Sequence, residues 1–230
     1  MCTCMLYIVA TPIGNRNDIT ERAKQTLASV DVVLCEDTRV TAKLCSMLEI
    51  QPTLHTFHEH TDDRKRGEIV AQLVAGKNMA LVSDAGTPGI SDPGGMLVAD
   101  AVKVGVEVVP IPGVSAVATA LSVCGFPTAR FTFVGFPPQK KGRETFFREL
   151  GDIAHTIVLY ESTHRIEKTI EALGVLGRRL CVCRELTKMH ETLYRGSASE
   201  VLAAFAKTST KGEFVIVIAP RARESIEVVE

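Results

Sequence analysis

Along the first half of the chain, short apolar runs rich in β-branched residues alternate with longer mixed stretches. Met5–Ala10, Val32–Cys35, Leu54–Phe57, Met79–Ser83 and Glu107–Pro110 predict strands. Thr20–Val30, Thr38–Leu48, Asp62–Ala75, Pro93–Val104 and Val114–Cys124 predict helices. Thr20 can cap the first helix, with a glutamate next inside, and Gly76 and Gly105 stop the third and fourth. Such alternation predicts βαβ units, a largely parallel sheet and helices on both faces. Ligands then sit outside the carboxyl ends of the strands, near a switch in strand order. The loops that follow the strands therefore carry the candidate chemistry.

A break at Gly125-Phe126-Pro127 opens the second half. Strands are predicted at Phe131–Gly135, Thr156–Tyr160, Leu180–Arg184 and Phe214–Ala219, with a short extended piece at Thr192–Arg195. Helices are predicted at His164–Leu173 and Ala198–Lys207, and Phe136–Arg143 reads as a loop. The expected organisation is two α/β domains, residues 1–115 and 116–230, joined near residues 112–126. Each is a mainly parallel or mixed sheet flanked by helices. The charged tail Arg221–Glu230 reads as a frayed end.

Composition narrows the class. With 46% apolar and 23% charged residues, the 230-residue chain is too apolar for a disordered one and long enough to bury a real core. Lys+Arg (26) nearly cancel Asp+Glu (27), and a net charge of -1 argues against a strongly basic nucleic-acid binder. The halves differ, however. Residues 1–115 hold 10 basic and 14 acidic side chains, whereas residues 116–230 hold 16 and 13, so an acidic partner would meet the second half. No positive residue precedes the short apolar stretch at the N-terminus, so no signal peptide is expected there. Glu107, Pro110, Pro112 and Gly113 interrupt the apolar stretch Val104–Cys124, which is no membrane span. A cytoplasmic protein is expected. Seven cysteines, in C-x-C pairs at Cys2/Cys4 and Cys181/Cys183 with no C-x-x-C, read as reduced, mostly buried thiols, with no metal site expected.

The strongest local feature is Ser83-Asp84-Ala85-Gly86-Thr87-Pro88-Gly89-Ile90-Ser91-Asp92-Pro93-Gly94-Gly95, which follows a strand and leads into a helix. Glycine lets backbone approach a ligand closely, proline fixes loop shape in advance, and Asp84 and Asp92 can accept hydrogen bonds from hydroxyls or an ammonium group. It is neither a phosphate loop nor a dinucleotide fingerprint, since it lacks Gly-Lys-Ser/Thr and G-x-G-x-x-G. Thirteen residues are long for such a connection, although a merely structural loop is the alternative. The loop Ala10–Asp18 reads either as a second ligand loop or as a turn capped by Asp18 or Thr20. Pro110–Ala116 reads either as a ring-binding segment or as a plain helix entry.

Charged clusters follow other strands: Glu36-Asp37-Thr38-Arg39, His58-Glu59-His60, Glu161-Ser162-Thr163-His164-Arg165 and Arg184–Glu191. No Gly-x-Ser-x-Gly elbow supports a hydrolase triad. Lys140-Lys141-Gly142-Arg143 lies in a Pro- and Gly-bearing loop beside Phe136, a pairing that suits phosphate contact as well as an ordinary solvated face.

Taken in order, Leu6–Asn15, Glu36–Arg39, His58–His60, Ser83–Gly94, Pro110–Gly113, Tyr160–Ser162, His164-Arg165 and Arg184–Lys188 resemble the ribosomal small-subunit RNA methyltransferase I family of the tetrapyrrole-methylase superfamily. The resemblance runs from about Leu6 to Pro220. It implies a tetrapyrrole-methylase-like fold with S-adenosylmethionine in an interdomain cleft, and a homodimer. It also implies 2'-O-methylation of a cytidine in the decoding region of small-subunit rRNA, on naked rRNA or the assembled 30S subunit. By the same resemblance the cofactor meets Pro12, Asp84, Ala85, Gly86, Gly89, Ile90, Ser91, Ser115 and Ala116, and then Tyr160, Glu161, Gly196 and Ser197. The chain departs from the family pattern at Arg16, Asn17 and Thr163, the last where proline is usual. It ends soon after its last strand, where many members continue into a helical extension.

Methyl transfer from a sulfonium mainly requires the attacking oxygen to be held in line, which can be worth roughly 7–11 kcal/mol. A base must still take the ribose proton. Candidates at strand ends are Glu36, Asp37, His58, Glu59 and Glu161. Arg39, Arg165, Arg184 and Lys188 are candidate phosphate contacts, with Lys140, Lys141 and Arg143. Methylation of a tetrapyrrole or another small molecule, and a non-catalytic ribosome-assembly binder, are the alternatives.

Overall fold

The computed structural model describes residues 4–222, which divide after Ser115 into two compact units. Of the charged tail, Arg223–Glu230 lie outside the described residues, as does Cys2. No described helix is long and apolar enough to cross a membrane. The six described cysteines are free thiols, and five are buried.

The first unit holds strands β1 (Met5–Val9), β2 (Val32–Cys35), β3 (Leu54–Thr56), β4 (Met79–Val82) and β5 (Glu107–Ile111). They lie in the order β3-β2-β4-β1-β5, and every pairing is parallel. The helices are α1 (Glu21–Ser29), α2 (Thr38–Met47), α3 (Asp63–Val74) and α4 (Gly95–Lys103). Every residue of β2 and β4 is buried, because both faces of the sheet are covered. Leu6, Leu34 and Leu81 pack with Ile69, Leu73, Leu97 and Ala101 of α3 and α4. Val9, Val33, Ala80 and Val82 pack on the other face with Ala23 and Leu27 of α1. Side-chain caps at Thr20, Asp37 and Asp62 accept from Ala23, Arg39 and Lys65 N–H and fix where α1, α2 and α3 begin. The chain leaves β1 past β4 toward β2, and leaves β4 past β1 toward β5. The two connections run opposite ways from one adjacent pair, which makes β1/β4 the topological switch.

The second unit holds α5 (Ala116–Cys124), β6 (Phe131–Phe133), α6 (Arg143–Asp152), β7 (Thr156–Ser162), α7 (Ile166–Gly174), β8 (Leu180–Arg184), β9 (Thr192–Gly196), α8 (Ala198–Phe205) and β10 (Glu213–Ile218). Its strand order is β6-β7-β10-β8-β9. β6 is parallel to β7, and the other pairings are antiparallel, a mixed sheet. Ile157, Leu159, Leu180, Val182 and Ile216 form one core with Leu150, Ile166, Ile170, Val201 and Phe205 of α6, α7 and α8. Two features differ from the sequence reading. Helix α6 was not expected, because its apolar face is only Phe146, Phe147 and Leu150 among charged neighbours, and the lysines before it dominate the pattern. Strand β7 runs two residues past Tyr160, so Glu161 pairs with Phe214 inside the sheet rather than opening a loop.

Candidate functional site

In the first unit, the loops after β1, β4 and β5 are stitched to one another at the switch point. Thr11 and Gly86 exchange backbone hydrogen bonds of 2.9 and 3.1 Å. Thr11 Oγ1 also donates to Ser83 O at 3.0 Å, and Thr87 Oγ1 donates to Val114 O at 3.1 Å. Glycine is required where these segments close up. A Cβ on Gly94, whose φ is +138°, would lie 2.7 Å from Leu81 Cδ2, and one on Gly113 would lie 2.9 Å from Ala10 Cβ. Ser91 adopts φ +61°, a left-handed conformation that an L side chain rarely takes and that clusters at functional loops. Within this frame Asp84, Ala85, Gly89, Ile90 and Ser91 are exposed, while Gly86 is buried and Pro12 and Ser115 are half-buried. The bridging role of Thr11 was not anticipated, and its only sequence signal is its place directly after β1.

Carboxylates gather beside this loop. Asp37 N–H donates to an Asp84 carboxylate oxygen at 3.3 Å. The Glu36 carboxyl is pushed up to about 7, chiefly by burial and then by Asp92, Asp84 and Glu59; a hydrogen bond from the Asp84 backbone opposes the rise. Burial raises Asp92 as well, and the Ser83 hydroxyl opposes that. Asp37 behaves oppositely. Arg39 pairs with it at 2.6 Å and holds its carboxyl at about 2. His58 and Glu59 lie exposed in the turn after β3, where Glu59 pairs with His60 at 3.4 Å. Glu36 thus sits against the Asp84–Asp92 loop with its carboxyl raised to about 7. Among the described residues, no group of three or more His, Cys, Asp or Glu converges as a metal site.

In the second unit the side chain of Glu161 is fully buried. Arg165 pairs with its Oε1 at 2.8 Å, Ser162 N–H donates to the same oxygen at 2.7 Å, and Thr169 Oγ1 donates to Oε2 at 2.6 Å. Arg143 Nη2 donates to Thr169 Oγ1 at 2.7 Å, so both arginines are tied to one carboxylate. Each arginine also reaches back to a proline carbonyl. Arg165 Nη1 donates to Pro137 O at 2.9 Å, and Arg143 Nη1 donates to Pro138 O at 3.1 Å. Thr169 was not anticipated, because a lone threonine on an amphipathic helix gives no sequence signal. Arg184 donates to Lys211 O at 2.7 Å, and Lys188 lies 2.9 Å from both Glu185 and Glu213. Of the seven candidate phosphate contacts, Lys140 and Lys141 are exposed with no side-chain partner among the described residues, whereas Arg39, Arg143, Arg165, Arg184 and Lys188 are engaged within the fold. Ser197 caps α8 in a capping box with Glu200, against which Gly196 closes, and Ala116 begins α5.

The sequence profile of the tetrapyrrole (corrin/porphyrin) methylases matches residues 5–202. Over 219 residues the chain is 47% identical to the ribosomal RNA small subunit methyltransferase I of Synechocystis sp., an alignment that covers 94% of this chain and 78% of that protein. The chain belongs to the ribosomal RNA small subunit methyltransferase I family. Solved structures agree on the fold of this methyltransferase family. A diphthine synthase superposes with a TM-score of 0.74 at 13% identity, covering 95% of this chain and 90% of that one. A uroporphyrin-III C-methyl transferase from Thermus thermophilus, complexed with S-adenyl homocysteine, superposes with a TM-score of 0.62 at 18% identity, covering 94% and 97%.

The loops of this family member fit an adenosyl amino acid. Their exposed backbone at Ala85 and Gly89 leaves room for a flat ring, Ile90 offers an apolar surface at 45% exposure, and the Asp84 carboxylate can accept from hydroxyls or an ammonium group.

Proposed function

We propose that the chain methylates the ribose 2'-hydroxyl of a cytidine in the decoding region of small-subunit rRNA, with Glu36 as the base that takes the hydroxyl proton. The coarser activity, S-adenosylmethionine-dependent methylation of small-subunit rRNA, follows from membership of the family. The observation that supports the reading is the 47% identity to the Synechocystis methyltransferase over 94% of this chain and 78% of that protein. The bound cofactor supplies an electrophilic methyl carbon. The protein's own task is to hold the ribose oxygen in line and to accept its proton, and a carboxyl near pH 7 is matched to the second part. Asp37, held at about 2 by Arg39, is a poor proton acceptor by comparison. We assign cofactor contacts in the first unit to Pro12, Asp84, Ala85, Gly86, Gly89, Ile90, Ser91 and Ser115; Glu161, whose carboxylate is buried and fully partnered within the second unit, is left out of that set. In this reading the protein acts in the cytoplasm as a homodimer on small-subunit rRNA or the assembled 30S subunit. Methylation of a tetrapyrrole is not favoured.

Two outcomes test the assignment of parts. Gly89 has open space where a side chain would grow, and its φ is +82°. Gly89→Trp should therefore fill the cofactor loop from outside the core and weaken S-adenosylmethionine binding by more than about tenfold, at a conformational cost of roughly 1–2 kcal/mol. Calorimetry on the folded variant checks this, and wild-type affinity would remove the loop from the site. Lys140→Ala combined with Lys141→Ala should lower the slope of log affinity against log salt by about 1.4 for single-stranded rRNA, at roughly 0.7 per phosphate contact, and should leave cofactor affinity unchanged. An unchanged slope would exclude both lysines from the RNA contact.

A further inference from the structure

We propose that Phe136 is a stacking platform for an unpaired nucleobase of the RNA substrate. The proposal rests on the rRNA-methyltransferase reading and deepens it by naming a recognition contact. Phe136 is 50% exposed although it is a large aromatic residue, so about half of its surface is open to solvent. It is nevertheless ordered by its neighbours. Its centroid lies 5.4 Å from that of Tyr160, which in turn meets Phe133 edge-on at 4.9 Å, so three rings form a row at the ends of β6 and β7.

The segment that presents the ring is pre-organised. Pro137 and Pro138 restrict the backbone, and their carbonyls accept hydrogen bonds from Arg165 and Arg143. Both arginines are anchored through the buried Glu161, Arg165 directly and Arg143 by way of Thr169. A ring held this way loses little freedom when a ligand stacks on it. The surrounding charge selects the occupant. Residues 136–143 contain no acid, and the exposed Lys140 and Lys141 follow the ring within five residues. An exposed aromatic side chain followed closely in the chain by solvent-facing lysines suits a base and its phosphates, a combination that tolerates any base because each has a π face. An apolar partner protein or a second copy of the chain would not require the lysines.

The test compares Phe136→Leu, which keeps apolar bulk but removes the ring face, with Phe136→Trp, which keeps it. Methyl transfer to small-subunit rRNA is measured as KM and kcat, with cofactor affinity by calorimetry and molecular mass by sedimentation. Phe136→Leu should raise the KM for rRNA roughly tenfold, as loss of one base–aromatic stack does, with kcat, cofactor affinity and mass unchanged. Phe136→Trp should restore the wild-type KM. A wild-type KM in Phe136→Leu, or a defect that appears together with a change in mass, overturns the proposal. Failure of the wild-type protein itself to label rRNA would instead overturn the functional reading beneath it.

Discussion

Replacing Glu161 with alanine should destabilise the protein by about 3–5 kcal/mol, the range found when one partner of a buried ion pair is removed. The carboxylate is fully buried and accepts from Arg165, Ser162 N–H and Thr169, and nothing else in the cluster can take its place. Its loss leaves the Arg165 guanidinium without its counter-ion and Thr169 without its acceptor. The effect should spread to the Pro137-Pro138 segment, because both carbonyls depend on arginines that the carboxylate organises. Urea unfolding reads the loss directly. Glu161→Gln should retain part of the stability, since an amide oxygen still accepts from Ser162 and Thr169 while the charge pair is gone. Equal stability of the wild type and the alanine variant would show that the network is not structural.

Replacing Glu36 with glutamine should reduce kcat by roughly 10²–10⁴-fold, the usual range for loss of general base catalysis, while cofactor affinity holds. The wild-type kcat/KM should rise with pH and level off above about 7, because the carboxyl of the free enzyme must lose its proton before it can accept one. The glutamine variant should lack that limb. Stability has the opposite sign. The folded protein keeps on Glu36 a proton that the unfolded chain releases near 4.5, so this group's contribution falls as pH rises from 4.5 through 7. The glutamine variant should therefore gain stability relative to wild type at pH 8 and lose that advantage at pH 4. A variant slow in catalysis without this crossover would mean that the carboxyl titrates normally and that Glu36 acts in another way.

The first unit was legible in the sequence because each βαβ step leaves its own marks. The fully apolar β2 and β4, the cap Thr20, and the long Gly- and Pro-bearing loop all follow from local chemistry. The second unit was less so. Helix α6 begins among charged residues and buries only part of one face, and the antiparallel placement of β10 between β7 and β8 is a long-range choice that no local pattern encodes. The occupations of the charged residues were also hidden. Arg143 and Arg165 look like Lys140 and Lys141 in the sequence, yet the former bind proline carbonyls and a buried carboxylate while the latter face solvent. Which arginine is spent inside the fold depends on Thr169 and Glu161, residues distant in sequence from Arg143. The same limit applied to the base, since five carboxylate and histidine candidates at strand ends are equivalent until their neighbours are known. The charge asymmetry of the halves also takes a narrower meaning. Much of the excess basic charge of the second half is engaged internally, and among the loop cations considered it is Lys140 and Lys141 that remain directed outward.

The most direct test of the account is transfer of label. Purified protein is incubated with methyl-labelled S-adenosylmethionine and with 30S subunits or naked small-subunit rRNA from a strain that lacks the enzyme, and the labelled nucleotide is then mapped. The account predicts label at a single cytidine of the decoding region, on the 2'-oxygen and therefore resistant to alkaline cleavage. Label on a base, or no label in the rRNA despite stable binding, would contradict it.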